Sequence, residues 1–485
     1  MTDPARTAAV VLAAGRAVRF GSSKLLATLA DRPILQHVLD TLAAAGLGEV
    51  VVVLGGGAEE IQVAIAWRGE RRVRNPRPED GLSSSLRLGL AAVSPSMEAA
   101  LIVLGDQPLV SLDVISALLA AAPPPNHVAV VPAYADGGGA NPALVLRPGF
   151  GLVDGLQGDR GLGPLLETMP GRVVTVPISG SNPDVDTRGD LVRLVEADWA
   201  ARVVANREQV DRRREVPDGP DFYGPISSLF RADPDRSDDA VLDLIVAETR
   251  PDESWLDVGA GAGRFALPIA RRVREVVALD PSEAMLETLR EIATEHGIEN
   301  VRTLTARWPM DDPPVADVVL IAHVGYDVEA IGPFVEGLER AARRLCIAVL
   351  MERQPASTID PFWPPVHGEA RVGLPALPAF LSLLAARGAS PEVSYLPRPL
   401  ARYGTFDEVL AFARRQTWVL PDGDKDRHLV ALLRERAIET AEGWTLPAPE
   451  VRMGVVRWAP VPGSAPEQSG VKRAISANRQ PHAVG

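Results

Sequence analysis

A glycine-rich stretch near the start of the chain carries two cations at a spacing suited to phosphate. Residues Leu12–Lys24 read L-A-A-G-R-A-V-R-F-G-S-S-K and continue the apolar run Ala8–Leu12. A strand that runs into such a loop bares backbone N–H groups to a polyphosphate, and Arg19 and Lys24 add positive charge. The spacing differs from that of a P-loop, because two serines separate the last glycine from the lysine. The stretch therefore predicts a phosphate-binding loop of another kind.

Two acidic positions further along could complete this site with a metal ion. Asp106 follows the apolar run Leu101–Leu104 in G-D-Q-P, and Asp186 belongs to D-V-D-T. An acid at the carboxyl end of a parallel strand faces the crevice where open α/β sheets bind ligands. Mg²⁺ is commonly held by one or two carboxylates together with substrate phosphates. We expect Asp106 and Asp186 to hold the metal while Lys24 and Arg19 hold a triphosphate, which predicts nucleotidyl transfer without a protein nucleophile.

A second glycine loop follows in the other half of the chain, with different spacing. The segment Trp255–Arg264 reads W-L-D-V-G-A-G-A-G-R, a D-x-G-x-G-x-G pattern. It is not the dinucleotide pattern G-x-G-x-x-G, because the sixth position is arginine. Seventeen residues after Gly263, a second apolar run ends in Asp280. An acid there can accept hydrogen bonds from the ribose hydroxyls of a nucleoside.

Composition excludes several other classes of protein. The 485 residues are 46% hydrophobic and 23% charged, with a formal net charge of −13. That charge argues against a general nucleic-acid binder. The lone Cys346 excludes a disulfide framework and a cysteine-built zinc site. The sequence shows neither a signal-peptide pattern nor an apolar stretch of about 18 residues. We expect a cytoplasmic protein with small-molecule substrates and neither nucleic acid nor membrane as a partner.

The elements that must position these residues alternate twice between strand and helix. The predicted strands are Val10–Leu12, Val50–Leu54, Leu101–Leu104, Val128–Val131, Trp255–Val258, Val276–Asp280, Asp317–Ala322, Leu345–Met351 and Val455–Trp458. Such alternation predicts an α/β protein of two domains, each a mostly parallel sheet flanked by helices. Late helices are predicted over Phe406–Thr417 and Lys425–Glu442. The predicted limits are a first domain over 1–203, a linker over 204–221, a second domain over 222–460 and a disordered tail over 461–485.

The ordered motifs of the first 200 residues resemble those of the MobA-like nucleotidyltransferases. L-A-A-G-x-x-x-R-F-G-x-x-K, G-D-Q-P, N-P-A-L-V, G-D-R-G and D-V-D-T occur in that order, as in the molybdenum cofactor cytidylyltransferase branch. The resemblance implies transfer of a cytidylyl group from CTP to molybdopterin, with Mg²⁺ and release of pyrophosphate. It favours CTP over GTP because Ala13 and Ala14 precede the glycine. Ala17 stands where the family commonly has serine. The implied nucleotide-binding residues are Ala13, Ala14, Gly15 and Gly21, and the implied catalytic residues are Lys24, Arg19 and Asp106.

The second loop and its distant acid resemble those of the class I S-adenosylmethionine-dependent methyltransferases. The implied cofactor-binding residues are Asp257, Gly259, Gly261, Gly263 and Asp280. The acid that often meets adenine in this family is missing near Ala306–Trp308, where Trp308 is expected to pack. His323 is a candidate general base, although a structural role is the commoner one. Tyr326, Trp363 and His367 are candidates for the acceptor pocket by location alone.

The two resemblances together predict a bifunctional fusion of a nucleotidyltransferase and a methyltransferase. They imply a role in molybdenum cofactor maturation, with a molybdoenzyme or its maturation factors as partner. One alternative is a sugar-phosphate nucleotidyltransferase joined to a glycan methyltransferase. Such enzymes usually have proline before the lysine, where this chain has Ser23. Another alternative is a nucleotidyltransferase joined to a domain that binds S-adenosylmethionine without catalysis.

Overall fold

The computed structural model describes residues 2–15, 24–30, 32–135, 139–217, 227, 230–398, 401–447 and 450–461. These residues fold as two compact units. The first comprises the described residues of Met1–Gly219, His323–Ile331 and Val349–Val456, and the second those of Pro220–Ala322, Gly332–Ala348 and Arg457–Gly485. The predicted domain limits at 203, 221 and 460 stay predictions.

The first 213 residues supply one sheet and the helices that cover it. Its strands and those of a small ribbon are β1 (Thr7–Ala13), β2 (Thr28–Leu29), β3 (Arg32–Pro33), β4 (Glu49–Leu54), β5 (Arg71–Arg74), β6 (Ala99–Leu104), β7 (Ala129–Tyr134), β8 (Ala143–Leu146) and β9 (Val173–Ile178). The helices are α1 (Ile34–Ala44), α2 (Ala58–Ala64), α3 (Leu82–Ala91), α4 (Leu112–Ala120), α5 (Leu162–Glu167) and α6 (Arg188–Arg213).

The strand order β5-β4-β1-β6-β8-β7-β9 makes a mostly parallel sheet. β1 pairs in parallel with β4 and β6, and β8 runs antiparallel to both β6 and β7. Every residue of β1 is buried, as expected of a strand covered on both faces. Ala9 and Val11 pack into one core, and Val10 and Leu12 pack into the other. Parallel register then places the carboxyl ends of β1 and β6 side by side, with the amide of Gly105 donating to the carbonyl of Leu12 at 3.0 Å.

The rest of the chain supplies a second sheet and further helices. The strands are β10 (Ser254–Val258), β11 (Glu275–Asp280), β12 (Val301–Thr305), β13 (Ala316–Ala322), β14 (Ala342–Met351), β15 (Glu392–Pro397), β16 (Ile438–Thr440), β17 (Gly443–Thr445) and β18 (Arg452–Trp458). The helices are α7 (Ala240–Val246), α8 (Ala266–Ala270), α9 (Glu283–Glu295), α10 (Ile331–Ala341), α11 (Trp363–His367), α12 (Leu377–Ala386), α13 (Phe406–Thr417) and α14 (Asp424–Arg436).

The second sheet has the order β12-β11-β10-β13-β14-β18-β15. The described pairs β10–β11, β10–β13 and β11–β12 are all parallel. The predicted fold class, two mostly parallel α/β sheets with flanking helices, is therefore confirmed. One helix prediction was too long. α14 ends at Arg436, and residues 438–440 instead pair with β17 as a short strand.

Helix α6 continues well into the segment predicted as a linker. A capping box of Thr187 and Asp190 begins it, and the helix ends at Arg213. Its buried face carries amides that bind backbone: the Gln209 side chain donates to the carbonyl of Ala370 at 2.7 Å and accepts from the amide of Val372 at 2.7 Å. Residues 204–213 therefore form part of an ordered packing face. Residues 218–221 of the predicted linker lie outside the described residues.

The tail predicted to be disordered lies outside the described residues from position 462 onward. Within the part of the chain that the structure describes, no helix is both long enough and apolar enough to cross a bilayer.

Candidate functional site

The first unit brings one lysine and two acids together from distant parts of the sequence. Lys24 opens a short 3-10 helix, Asp106 follows β6, and Asp186 directly precedes the cap of α6. The Lys24 ammonium donates to Asp186 Oδ1 at 3.0 Å and also contacts Asp106 Oδ2. The side chains of Lys24 and Asp106 are only 14% and 19% exposed, whereas that of Asp186 is 56% exposed. The predicted grouping of Lys24, Asp106 and Asp186 is therefore present.

The acids around Lys24 dominate its electrostatics. Burial alone would lower the pKa of Lys24, but the carboxylates of Asp106 and Asp186 together raise it above the ordinary lysine value. A third carboxyl group, Asp184, belongs to the same cluster. Desolvation and the charge of Asp106 raise the pKa of Asp184, against a hydrogen bond from Gln107. Three carboxyl groups thus surround a single ammonium among the described residues of this cluster, an arrangement that attracts a further cation.

A pair of amide side chains fixes the acidic loop against the end of β6. The buried Gln107 donates to the carbonyl of Asn182 at 3.3 Å, and the Asn182 amide donates to Gln107 Oε1 at 3.1 Å. The amide of Val185 donates to the carbonyl of Asp106 at 3.1 Å. Sequence reasoning did not assign Asp184, Gln107 or Asn182. The two acids spaced by one valine and the glutamine within G-D-Q-P were the available signals.

Tight backbone packing shapes the neighbouring loops of this unit. Gly81 has φ +88°, and a Cβ placed on it would lie 2.3 Å from the carbonyl carbon of Gly158. The Asn75 side chain donates to the hydroxyls of Ser84 and Ser85 at 2.8 and 2.9 Å, which ties β5 to the start of α3. A cavity of about 200 Å³ opens nearby, and its lining includes Leu12, Leu86, Ile102, Leu104, Asn141 and Gly161. Its lining mixes apolar side chains with the polar Asn141 and Glu167, as is usual for a small-molecule pocket.

The second unit places Asp280 against its glycine loop. Asp280 Oδ2 accepts from the amide of Gly261 at 2.9 Å, and Oδ1 accepts from the amide of Ser282 at 2.9 Å. Gly259, Gly261 and Gly263 all have positive φ, at +78°, +54° and +83°. These backbone angles disfavour side chains, so the loop requires glycine at all three positions. The predicted grouping of this loop with Asp280 is present.

Asp257 lies deeper, at the end of β10. It is fully buried, and its Oδ1 has no hydrogen-bond partner within the described part of the chain. Burial first, and then the negative charge of Asp280, raise the pKa of Asp257 to about 7. A hydrogen bond from the amide of Ala266 offsets part of this. An orphaned buried acceptor beside a second acid is a feature of ligand sites as well as of strained cores.

The other candidate residues in this part of the chain make packing contacts or hydrogen bonds within the fold. The Trp308 indole donates to the carbonyl of Phe334 at 3.0 Å, so it packs against α10 as expected. Tyr326 is buried, and its hydroxyl accepts from the amide of Met351 at 2.8 Å. His323 adopts φ +59°, and its amide donates to the carbonyl of Val349 at 2.9 Å. Trp363 and His367 are buried against each other, with ring centroids 4.2 Å apart.

Comparison with known proteins identifies the two halves. A profile described as the MobA-like NTP transferase domain matches residues 9–173, and one described as a methyltransferase domain matches residues 256–345. The chain carries both domains. The predicted resemblances are therefore confirmed at the level of the domain. The NTP transferase match contains Lys24 and Asp106 and ends before Asp184 and Asp186. The methyltransferase match contains the D-x-G-x-G-x-G loop and Asp280.

Individual relatives resemble parts of the chain. Bifunctional protein GlmU of Sorangium cellulosum is 36% identical over 124 residues, which are 24% of this chain and 26% of the relative. This chain thus spans about a quarter of the length of the first curated relatives. Rv0371c of Mycobacterium tuberculosis, in complex with manganese, is 32% identical over 39% of this chain and 97% of its own, with a TM-score of 0.33. A putative methyltransferase of Bacillus halodurans is 16% identical over 46% of this chain and 99% of its own, with a TM-score of 0.34.

Some predicted residues of the NTP transferase domain cannot be placed. Arg19, Gly21 and the unusual Ala17 lie outside the described residues. Ala13 is the last residue of β1, and Ala14 and Gly15 follow it. Ala14 packs closely against Gly55, because a Cβ placed on Gly55 would lie 2.5 Å from the carbonyl oxygen of Ala14. The predicted nucleotide-binding segment therefore begins at the carboxyl edge of the sheet. The roles assigned to these residues stay predictions.

Proposed function

We propose that the NTP transferase domain transfers a cytidylyl group from CTP to molybdopterin and releases pyrophosphate. The observation that carries this proposal is the position of Lys24 between Asp106 and Asp186, at the carboxyl edge of a parallel sheet. Nucleotidyl transfer needs a cation held by carboxylates and positive charge for the departing pyrophosphate. The choice of CTP and molybdopterin rests on the order of the sequence motifs along the chain and on the two alanines, Ala13 and Ala14, that precede the glycine.

The carboxylates of this site fit a magnesium ion. Asp106 and Asp186 already hold one cation, the ammonium of Lys24, and oxygen ligands are those that Mg²⁺ prefers. Bound Mg²⁺ would neutralise the charge that develops on the pyrophosphate. Lys24 would contact the phosphates, and the backbone amides after β1 would orient them. The nucleophile is a phosphate oxygen of the acceptor, so this chain's residues act by positioning and charge.

We further propose that the methyltransferase domain transfers a methyl group from S-adenosylmethionine to a small molecule or protein group of unassigned identity. Asp280 would accept hydrogen bonds from the cofactor ribose, next to the loop amide of Gly261 that it holds. Methyl transfer can proceed by alignment and desolvation without a base. This proposal therefore does not need His323.

Isotope release tests the first activity directly. Full-length chain is incubated with CTP labelled in the β and γ phosphates, Mg²⁺ and a panel of acceptors, and labelled pyrophosphate and product mass are measured. We expect pyrophosphate and a cytidylyl adduct with molybdopterin, and much less with ATP or GTP. Pyrophosphate that forms with sugar phosphates and never with molybdopterin would show that the proposed acceptor is wrong.

A sugar phosphate is the second candidate acceptor. The matches to bifunctional protein GlmU, such as 36% identity over 124 residues, favour it. In that case the methyltransferase domain would act on a glycan. Ser23 stands against this candidate, because the sugar-phosphate enzymes usually have proline there. The same acceptor panel separates the two candidates by product mass.

The methyltransferase activity has its own rival, a domain that binds S-adenosylmethionine without turnover. Calorimetric titration with S-adenosylmethionine decides binding, and millimolar ligand without heat would contradict the methyltransferase proposal. Product mass after incubation with metabolite pools decides turnover. Binding without any methylated product would favour the rival.

A further inference from the structure

The cation that lies between Asp106 and Asp186 in this structure belongs to the protein itself. The Lys24 ammonium donates to Asp186 Oδ1 at 3.0 Å and contacts Asp106 Oδ2. These are the two carboxylates assigned to the metal in the proposed function. A divalent ion bound to the same oxygens would lie within a few ångströms of the ammonium. Two cations at about 4 Å repel strongly in the partly desolvated setting of a cleft.

One lysine does not compensate the negative charge of the surrounding carboxyl groups. Asp184 interacts with both Asp106 and Asp186, and all three acids interact with Lys24. The acidic loop is clamped in place by Gln107 and Asn182, so its carboxyl groups cannot readily move apart. An ammonium supplies one positive charge to this cluster, whereas a divalent ion supplies two. A divalent ion therefore compensates the charge of this cluster better than the ammonium does.

The side chain that must move is the one with more rotatable bonds. Lys24 carries its charge on a four-carbon stem, while Asp106 has a shorter side chain and follows the buried strand β6. An ammonium released from the carboxylates needs another anion, and the triphosphate that arrives with the metal supplies one.

We infer that Lys24 is the resident counter-ion of the metal site, and that entry of the metal–nucleotide complex displaces it from Asp106 and Asp186 onto the triphosphate. Only the second step of this inference, movement of the ammonium onto the triphosphate, rests on the proposed nucleotidyl transfer. Its first step, competition between Lys24 and a divalent ion, concerns this chain's residues alone. The lysine thereby keeps the carboxylates from repelling each other before substrate binds, and afterwards stabilises negative charge on phosphate.

The two steps predict opposite effects of one substitution. Full-length Lys24→Met should bind Mn²⁺ at least about tenfold more tightly than wild type when nucleotide is absent, because a competing positive charge is gone. The same variant should bind the Mn²⁺–CTP complex at least about tenfold more weakly, because a phosphate contact is gone. Paramagnetic resonance of free Mn²⁺ measures the first affinity, and calorimetry measures the second.

Three further variants make the test specific. Lys24→Arg keeps the charge and should bind Mn²⁺ as wild type does. Lys425→Met removes a lysine that pairs with Glu215 at 3.1 Å elsewhere in the same unit, and should also leave Mn²⁺ affinity unchanged. Adding Asp106→Asn to Lys24→Met should abolish the gain, which locates the ion. Circular dichroism melts confirm that each variant is folded, and Lys24→Gln replaces the methionine variant if it is not.

Unchanged or weaker Mn²⁺ binding by a folded Lys24→Met would overturn the inference and leave Lys24 as a structural ion-pair partner. Tighter Mn²⁺ binding with unchanged affinity for Mn²⁺–CTP would overturn the displacement onto phosphate. The Mn²⁺ measurement contains neither nucleotide nor acceptor. Failure of the proposed reaction, seen as no pyrophosphate from any nucleotide, is therefore distinguishable from failure of the counter-ion role.

Discussion

The two glycine loops of this chain use glycine for different physical reasons. A Cβ placed on Gly15 would meet no described atom within 4 Å, so no described residue excludes a side chain there. A Cβ on Gly263 would lie 2.8 Å from Leu289 Cγ, and this glycine has φ +83°. Among the described residues Gly15 has open space beside the end of β1, whereas Gly263 has close neighbours that leave no room for a Cβ. An open glycine points to a ligand more directly than a packed one does.

The two sites also differ in how their acidic groups are compensated. In the NTP transferase domain Lys24 lies between Asp106 and Asp186, as the cation that a divalent ion would displace in our proposal. In the methyltransferase domain Asp257 and Asp280 lie near each other, and burial together with the Asp280 charge raises the pKa of Asp257 to about 7. Asp280 is satisfied by backbone amides. The first site thus pairs its acids with a lysine, whereas the second pairs Asp280 with backbone amides.

The largest expected effect is that of replacing Asp106, which should impair the NTP transferase domain and leave the methyltransferase domain unaffected. Asp106→Asn should lower the turnover of nucleotidyl transfer by at least about 100-fold, because a metal-holding charge contributes several kcal/mol to the transition state. S-adenosylmethionine binding should be unchanged. Pyrophosphate release measures the first effect and calorimetry the second. Asp198→Asn, at a partly exposed position of α6, is the matched control. A similar loss there would mean that the effect is not specific to the site.

The corresponding change in the second site should affect only its own ligand. Asp280→Asn should weaken S-adenosylmethionine binding by about 10- to 100-fold, because hydrogen bonds to a charged acceptor contribute about 1.5–3 kcal/mol each. Pyrophosphate release from CTP should not change. Glu287→Gln, on the exposed side of α9, is the control. Wild-type affinity in Asp280→Asn would show that the ribose is held elsewhere.

Alanine at the two glycines sharpens the contrast between open and packed loops. Gly263→Ala should destabilise the methyltransferase domain by about 1–3 kcal/mol, because it combines backbone strain with overpacking against Leu289. Gly15→Ala should leave the melting temperature unchanged and weaken CTP binding by about tenfold. Thermal melts with calorimetry of the same samples measure both. Equal destabilisation by the two variants would remove the distinction.

The raised pKa of Asp257 predicts a pH dependence of stability. The folded state keeps a proton on this acid up to about pH 7, whereas an unfolded aspartate has lost it above about pH 4. Stability should therefore fall as pH rises from about 4 to 7, by up to about 1.4 kcal/mol per pH unit, and then level off. Asp257→Asn should lose this slope. Melting curves from pH 5 to 8 measure the difference, and parallel curves for the two proteins would contradict it.

The local parts of this structure could be predicted from the sequence. The apolar runs that end at Leu104 and Asp280 are strands β6 and β11, and Phe406–Thr417 is helix α13 with the predicted limits. Each prediction needs only the pattern of a few neighbouring residues. The same holds for the second glycine loop, where Gly259, Gly261 and Gly263 adopt the positive φ angles that glycine permits. The sheet class then follows from the alternation of these elements.

The long-range parts could not be predicted in the same way. Lys24 and Asp186 are 162 positions apart, and only the folded sheet brings them together. Asp184 joins the cluster through Gln107, a contact that no local pattern encodes. Helix α6 extends to Arg213 because Gln209 finds backbone partners near residue 370, which its charged surface sequence does not show. The sequence up to Glu442 has a helical pattern, but Ile438–Thr440 form a short strand because they pair with β17.

One crossed titration tests the central claim, that this chain holds two separate ligand sites with different electrostatics. Wild type, Asp106→Asn and Asp280→Asn are each titrated by calorimetry with CTP and Mg²⁺, and then with S-adenosylmethionine. We predict that wild type binds both ligands, that Asp106→Asn loses CTP–Mg²⁺ and keeps S-adenosylmethionine, and that Asp280→Asn does the reverse. Loss of both ligands in either folded variant, or no heat from wild type with either ligand at millimolar concentration, would contradict the claim.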